Sequence, residues 1–306
     1  MRYQGDELTL IDSISYFGDI SPGQISTNIS NPIVFHVAED CGYNVLEYQL
    51  YVTANTNSSY PFEKTHYHNL DVSIVQYNWP LYLGCEVKCS PVVVDFDNDN
   101  ENEVLFVDRA GKIYSIEADA SISDGFPVEF EEEAWSSIAV GDIDNDQQYE
   151  IVLTTRYNKI YAIDNDKSII FEYETGGQMI CTPTVADLDG DEELEIIAPC
   201  LDGKLYVIKI DGSDYPNFPY PLGSPIFADV AVGDINNDTV QDIVVGTLNG
   251  SLYAISSEGV ILDGFPIETD SQIWSPPIIF DNNSRIAFSN YDHKIYIIDG
   301  LSLIHI

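Results

Sequence analysis

The chain has 306 residues, with 51 Asp and Glu against 12 Lys and Arg, a formal net charge of −39 and a pI near 4.1. Such a surface offers no basic track to nucleic-acid phosphates or to an anionic membrane face, and no apolar run approaches the roughly 18–20 residues of a membrane span. Disorder does not follow from the charge, because 44% of the residues are hydrophobic and 12% aromatic, enough to bury a core.

The N-terminal sequence MRYQGDELTL lacks the apolar stretch of a signal peptide, which fits either a cytosolic chain or one whose export signal is missing. Residues 1–74 share no repeat with the remainder. Strands are expected near Leu8–Ile14, Ile33–Ala38 and Leu46–Ala54, with a turn-rich stretch between Gly18 and Pro32. The expectation is a small or truncated Ig-like β-sandwich, since a complete one needs roughly 100 residues. His66 and His68 would share one face of a strand, but no third ligand accompanies them, and they read as surface residues; His36 and His293 are isolated. Five cysteines (Cys41, Cys85, Cys89, Cys181, Cys200) form no C-x-x-C pair and read as buried or free thiols.

Residues 75–300 repeat. PVVVDFDNDNENEVLF from Pro91, IAVGDIDNDQQYEIVL from Ile138, PTVADLDGDEELEIIA from Pro183 and VAVGDINNDTVQDIVV from Val230 align without gaps. Their leading aspartates, Asp95, Asp142, Asp187 and Asp234, are 47, 45 and 47 residues apart. Nineteen residues after each comes a tyrosine: Tyr114, Tyr161, Tyr206 and Tyr253. Each unit breaks into short β-branched segments, in the first case Val92–Val94, Val104–Val107, Ile113–Ile116 and an outer one around Phe126–Phe130. Four short strands per unit of about 45 residues is the arithmetic of a β-propeller blade, so the fold class is all-β and the tyrosines are expected in the core between blades.

A G/N-F/W-P element recurs at Phe126-Pro127, Phe218-Pro219 and Phe265-Pro266, with an early copy at Trp79-Pro80 that could supply an outer strand to close a five-bladed ring; further blades are the alternative. Trp79, Trp135 and Trp274 fall near blade boundaries and read as packing residues. A fifth unit starts at Pro277 and reaches Tyr296, but its Asp281 lies only 15 residues before that tyrosine, so four residues of the loop are gone. The terminal Leu301–Ile306 reads as a non-native tail.

The loops that the fifth unit lacks hold half of their 36 positions as Asp or Glu, against 33 of the other 270, so the charge is placed rather than spread. Positions 1, 3, 5 and 9 carry Asp95, Asp97, Asp99 and Glu103; Asp142, Asp144, Asp146 and Glu150; Asp187, Asp189, Asp191 and Glu195; and Asp234, Asn236, Asp238 and Asp242. Position 4 is Asn98, Asn145, Gly190 or Asn237, residue types that accept left-handed backbone. Position 7 varies (Glu101, Gln148, Glu193, Val240), as a position contributing only its carbonyl would. Hard oxygen ligands at alternating positions, closed by a distal carboxylate, suit Ca²⁺ better than Mg²⁺. Two carboxylates about 5 Å apart repel by roughly 3 kcal/mol at an effective dielectric near 20, so a cation is expected among them.

On these motifs the units resemble FG-GAP/VCBS-type repeats, the family that builds calcium-binding propellers such as the head of integrin α-subunits. The resemblance covers about residues 78–300. It implies that the side chains at positions 1, 3, 5 and 9 and the carbonyl at position 7 hold one structural Ca²⁺ per loop, about four in all, and that the fifth unit holds none. The G-F-P version of the repeat is similar to that of large secreted bacterial proteins.

No G-x-S-x-G, H-E-x-x-H, Walker A or dinucleotide glycine motif is present. The sequence therefore points to a non-catalytic, calcium-stabilised adhesion, scaffold or binding module with a protein or carbohydrate ligand. A propeller enzyme, such as a polysaccharide lyase or a quinone-dependent dehydrogenase, is the alternative. Extracellular modules bind calcium at roughly 10⁻⁴–10⁻³ M, which places the expected location outside the cell.

Overall fold

The computed structural model describes the backbone of residues 8–12, 34–37, 44–54 and 62–72, and residues 79–282 and 285–300 with their side chains. The chain divides into two compact units, Met1–Leu81 and Tyr82–Ile306; the repeat had suggested a break after residue 74. Cys41, the stretch Gly18–Pro32 and the suspected tail Leu301–Ile306 lie outside the described residues, as do the side chains of His36, His66 and His68.

The first unit contains two antiparallel pairs. Strand β1 (Leu8–Asp12) runs beside β2 (Val34–Val37), and β3 (Asn44–Ala54) pairs along its whole length with β4 (Phe62–Val72), from Asn44 opposite Val72 to Ala54 opposite Phe62. These two ladders do not by themselves establish an Ig-like sandwich.

In the second unit every repeat is a consecutive antiparallel meander. The first comprises β5 (Val92–Val94), β6 (Glu103–Val107), β7 (Lys112–Ile116) and β8 (Val128–Glu129). The second comprises β9 (Ala139–Gly141), β10 (Glu150–Thr154), β11 (Lys159–Ile163) and β12 (Ile169–Glu174). The third is β13 (Thr184–Ala186), β14 (Glu195–Pro199), β15 (Lys204–Ile208) and β16 (Tyr220–Pro221). The fourth is β17 (Ala231–Gly233), β18 (Asp242–Gly246), β19 (Ser251–Ser256) and β20 (Ile267–Glu268). The fifth has three strands, β21 (Ile278–Phe280), β22 (Arg285–Ser289) and β23 (Ile295–Asp299). Among the described residues no fourth strand pairs with β23. First strands of successive units lie side by side, β9 with β13 and β17 with β21. This is the arrangement of propeller blades, and the chain is an all-β propeller of four-stranded blades.

Blade strands have neighbours on both faces, which explains their unbroken apolar runs. β10, β14 and β18 are buried at all five positions. The core is a series of seams rather than one centre. Leu105 and Ile113 of the first blade pack with Ile151, Leu153 and Tyr161 of the second. Val152 and Ile160 pack with Ile196, Ala198 and Tyr206 of the third. Ile197 and Leu205 meet Ile243 and Val245, and Val244 and Leu252 meet Ile286 and Phe288. Each fully buried aliphatic side chain contributes about 1.5–3 kcal/mol. The repeated tyrosines Tyr114, Tyr161 and Tyr206 are buried as expected. Their hydroxyls donate to Asp108, Glu132 and Asp202, which is how a phenol tolerates a core position.

Two tryptophans depart from the packing role. Trp135 is 36% and Trp274 42% exposed, because each lies on the connection entering a blade, not on a strand. Lys88, Arg109 and Arg156 surround the Trp135 ring at 4.9, 5.2 and 4.3 Å, whereas Phe227 and Tyr291 flank Trp274. Cys85 and Cys89 are unpaired, as are the buried Cys181 and Cys200; burial pushes the Cys200 thiol up to about 12.

Candidate metal centre

Each acidic loop joins the first strand of a blade to the second and is built the same way four times. In the first, both oxygens of Asp95 accept backbone N–H groups, Oδ1 from Asp99 and Oδ2 from Asn100, and Asp99 accepts from Glu101. Asp142, Asp187 and Asp234 accept from the corresponding backbone positions. Position 5 accepts the N–H of position 7 in all four loops. The backbone of position 7 is thereby tied to the position-5 carboxylate, while the side chains of Glu101, Gln148 and Glu193 remain exposed.

The left-handed backbone expected at position 4 is present, with φ of 61° at Asn98, 60° at Asn145, 82° at Gly190 and 61° at Asn237. A second left-handed residue stands at position 6: Asn100, Gln147, Glu192 and Thr239, at φ of 72–75°. Sequence inspection missed it because those residue types share no left-handed preference. For Gln, Glu and Thr this conformation costs roughly 1 kcal/mol or more, and its recurrence in four loops marks a conformation under constraint.

The carboxylates converge. Ligand atoms of Asp95, Asp97 and Asp99 lie within 4.8 Å of one another, as do those of Asp142, Asp144 and Asp146, and of Asp187, Asp189 and Glu195. Oxygens sharing one Ca²⁺ at about 2.3–2.6 Å can be at most about 5 Å apart, so the spacing fits a common ion. In the third loop Glu195 replaces Asp191 in the converging group. The fourth loop repeats the backbone wrap with Asn236 at its third position, whose Nδ2 donates to Asp238.

The closing residue is the most telling. Glu103, Glu150, Glu195 and Asp242 are each about 1% exposed. One carboxylate oxygen of each accepts the backbone N–H of position 2, from Phe96, Ile143, Leu188 and Ile235 at 2.7, 2.6, 2.9 and 2.9 Å. The other oxygens of Glu103 and Glu150 are buried with no hydrogen-bond partner. Burial, reinforced by neighbouring aspartates, pushes Glu150 and Glu195 up to about 7 and Asp242 up to about 6, and raises Glu103. A buried carboxylate with an orphan oxygen is costly as an anion unless a proton or a cation meets it. The donor set, hard oxygens with one lone pair unspent, fits a divalent cation.

Asp281, by contrast, opens a tight turn in the fifth blade and forms a 3.1 Å ion pair with Arg285. Arg285 stands in the register of the closing carboxylates. Where the loop is shortened, an exposed Arg stands at the strand position that the intact loops give to a buried acid.

A contact outside the motif also touches the site. The Tyr215 hydroxyl, from the loop between β15 and β16, donates to Asp189 at 3.0 Å. It was invisible in the sequence because it arrives from 26 residues away. Lys167 from the second blade lies over the rings of Phe96 and Phe126 beside the first loop.

No family model matches the chain, and no curated protein matches its sequence. Solved structures do resemble it. A structure of BBS1N in complex with ARL6DN, soaked with lead, superposes with a TM-score of 0.53 at 14% identity, covering 90% of this chain and 82% of that one. BamB from Moraxella catarrhalis gives 0.51 at 15% identity, covering 69% of this chain; the chain spans 60% of the length of that protein. At such identities the likeness speaks for the fold alone, and that fold is the β-propeller.

Proposed function

We propose that this propeller is a non-catalytic binding or scaffold module that works outside the cell, its blades stapled by Ca²⁺ in four loops. The observation that carries the proposal is the closing carboxylate, buried in all four loops, with an unpaired oxygen at Glu103 and Glu150 and with converging carboxylates in the first three loops. The fifth blade supports it by contrast, since losing the loop coincides with an Arg in that register. The ligands would be the residues at positions 1, 3, 5 and 9 with the position-7 carbonyl, and the ion would be structural, tying the first two strands of each blade together.

Surface binding rather than catalysis accords with the sequence, which holds none of the hydrolase or nucleotide motifs sought. One similar propeller, BBS1N, is in complex with ARL6DN, which supports a binding role for this fold. Weak extracellular-type affinity for calcium underlies the location. The test is thermal unfolding in excess chelator and in millimolar calcium. Binding to the native state alone raises stability by about 2.7 kcal/mol at a hundredfold excess over Kd for a single site. A clear rise in Tm with calcium is expected, and superimposable curves would remove the metal from the account.

A further inference from the structure

Blades one, three and four leave their third strand by the same turn, and one position of that turn differs sharply in bulk. Nine residues after the repeated tyrosine stand Ser123, Tyr215 and Leu262. Each donates its backbone N–H to the third strand at 2.9 Å, to the carbonyls of Ser115, Val207 and Ala254 respectively, so the three positions are equivalent in space as well as in sequence. In the third blade Tyr215 is buried, meets the Phe218 ring edge-on with centroids 6.2 Å apart, and donates its hydroxyl to Asp189 at loop position 3. The first blade has Ser123 and Ser115 where the third has Tyr215 and Val207, and the two serine hydroxyls bond to each other at 2.8 Å.

The missing bulk leaves a cavity of about 160 Å³ beside the first acidic loop, with walls from the first and second blades. Phe96 and Phe126 line it, their ring centroids 5.9 Å apart. Phe96 is larger than Leu188, its counterpart in the third blade, yet does not fill the space. The two serines and Asp97, the counterpart of Asp189, supply polar wall. Lys167 of the second blade also lines the cavity, its ammonium 5.9 and 5.3 Å from the two phenyl rings. A cation stands by the ring in the third blade too, where Lys209 lies 5.5 Å from Tyr215. A cavity of roughly 150 Å³ takes one benzene ring. Water filling this one would satisfy the serines and Asp97 but wet two phenyl faces, whereas a wholly apolar ligand would do the reverse. A single ring bearing a hydroxyl suits both walls.

We propose that this cavity is a binding site for a small single-ring phenol, its ring against Phe96 and Phe126 and its hydroxyl donating to Asp97. The ligand class is argued from the third blade, where the same place is filled by a phenol belonging to the chain itself, with its hydroxyl on the equivalent aspartate. The site goes beyond the calcium reading and does not rest on it. Tyr215 uses only Oδ2 of Asp189, so a phenol bound in the same way leaves the other oxygen of Asp97 to the loop.

Calorimetric titration of the full chain in millimolar calcium tests this, with phenol and with toluene, which has nearly the same shape but no donor. Saturable uptake of one phenol per chain is expected, with toluene bound about tenfold or more weaker for want of the hydrogen bond. The readout is occupancy by phenol, which is measured whether or not the loop holds an ion. Ser123→Tyr supplies the missing ring, and Ser123→Leu supplies the residue of the fourth blade. Each should weaken phenol binding by about tenfold or more, and because they differ in bulk, misfolding of one leaves the other to report. A wild-type chain that takes up no phenol saturably overturns the proposal. Toluene bound as tightly as phenol overturns it by showing an apolar void that ignores Asp97. Phenol binding that survives both substitutions overturns it by placing the ligand elsewhere.

Discussion

At the scale of single residues the closing carboxylates decide how the protein responds to acid and to metal. Without metal, a folded-state value raised to about 7 for Glu150 and Glu195 means that the native state holds protons the unfolded chain has released. The destabilisation is absent below the unfolded value near pH 4.3, grows above it and is complete once pH passes about 7. Chelated protein should therefore melt higher at pH 5 than at pH 8. With calcium bound the order should reverse, because protons then compete with the ion; the same order in both buffers would contradict the ligand assignment. Glu150→Gln removes the buried charge, so it should raise the Tm of chelated protein and lower that of the calcium-loaded protein. The loops are also distinguishable one from another. In calorimetric titration Asp187→Ala should reduce the calcium stoichiometry by about one, while Asp281→Ala, whose partner is Arg285, should leave it unchanged. Loss of metal in both variants would mean that the fifth blade had been misread.

At the scale of the element, strand type and position were legible because blade strands are contiguous β-branched runs between turn residues. Val92–Val94 was expected and found, and β6 and β7 differ from expectation by one residue at their starts. The outer strand was placed less well. It is only Val128–Glu129, because the residues around it belong to the Gly-Phe-Pro turn, whose Phe126-Pro127 bond is cis. Strand β4 was not delimited beforehand, since its sequence, FEKTHYHNLDV, mixes polar and aromatic residues; pairing with β3 defines it. The exposure of Trp135 and Trp274 was equally illegible, since a blade-entry loop carries no periodicity to show which way a ring faces. The seam gives this scale its own prediction. Gly246→Ala places a methyl against Ile273, an overpacked contact that should cost about 1–3 kcal/mol in denaturant unfolding. Gly190→Asn, into open space with the residue type found at the same position of the other loops, should be nearly neutral.

At the scale of the whole molecule, the repeat made the propeller legible before any coordinates, because four copies in register over-determine a blade. Ring geometry was not, since it depends on which blade faces cover one another; Ile295 and Ile297 are exposed where their equivalents in the other blades are buried. The acid loops were legible as ligand sets, but the burial of Glu103 and its fellows, the second left-handed residue and Tyr215 needed the fold. The central claim is that cations bridge these loops. Diffraction from calcium-grown crystals, collected where calcium scatters anomalously, tests it most directly. The account predicts peaks between the carboxylates of the loops starting at Asp95, Asp142, Asp187 and Asp234, and none at Asp281. Loops without density, their aspartates turned into solvent, would contradict it.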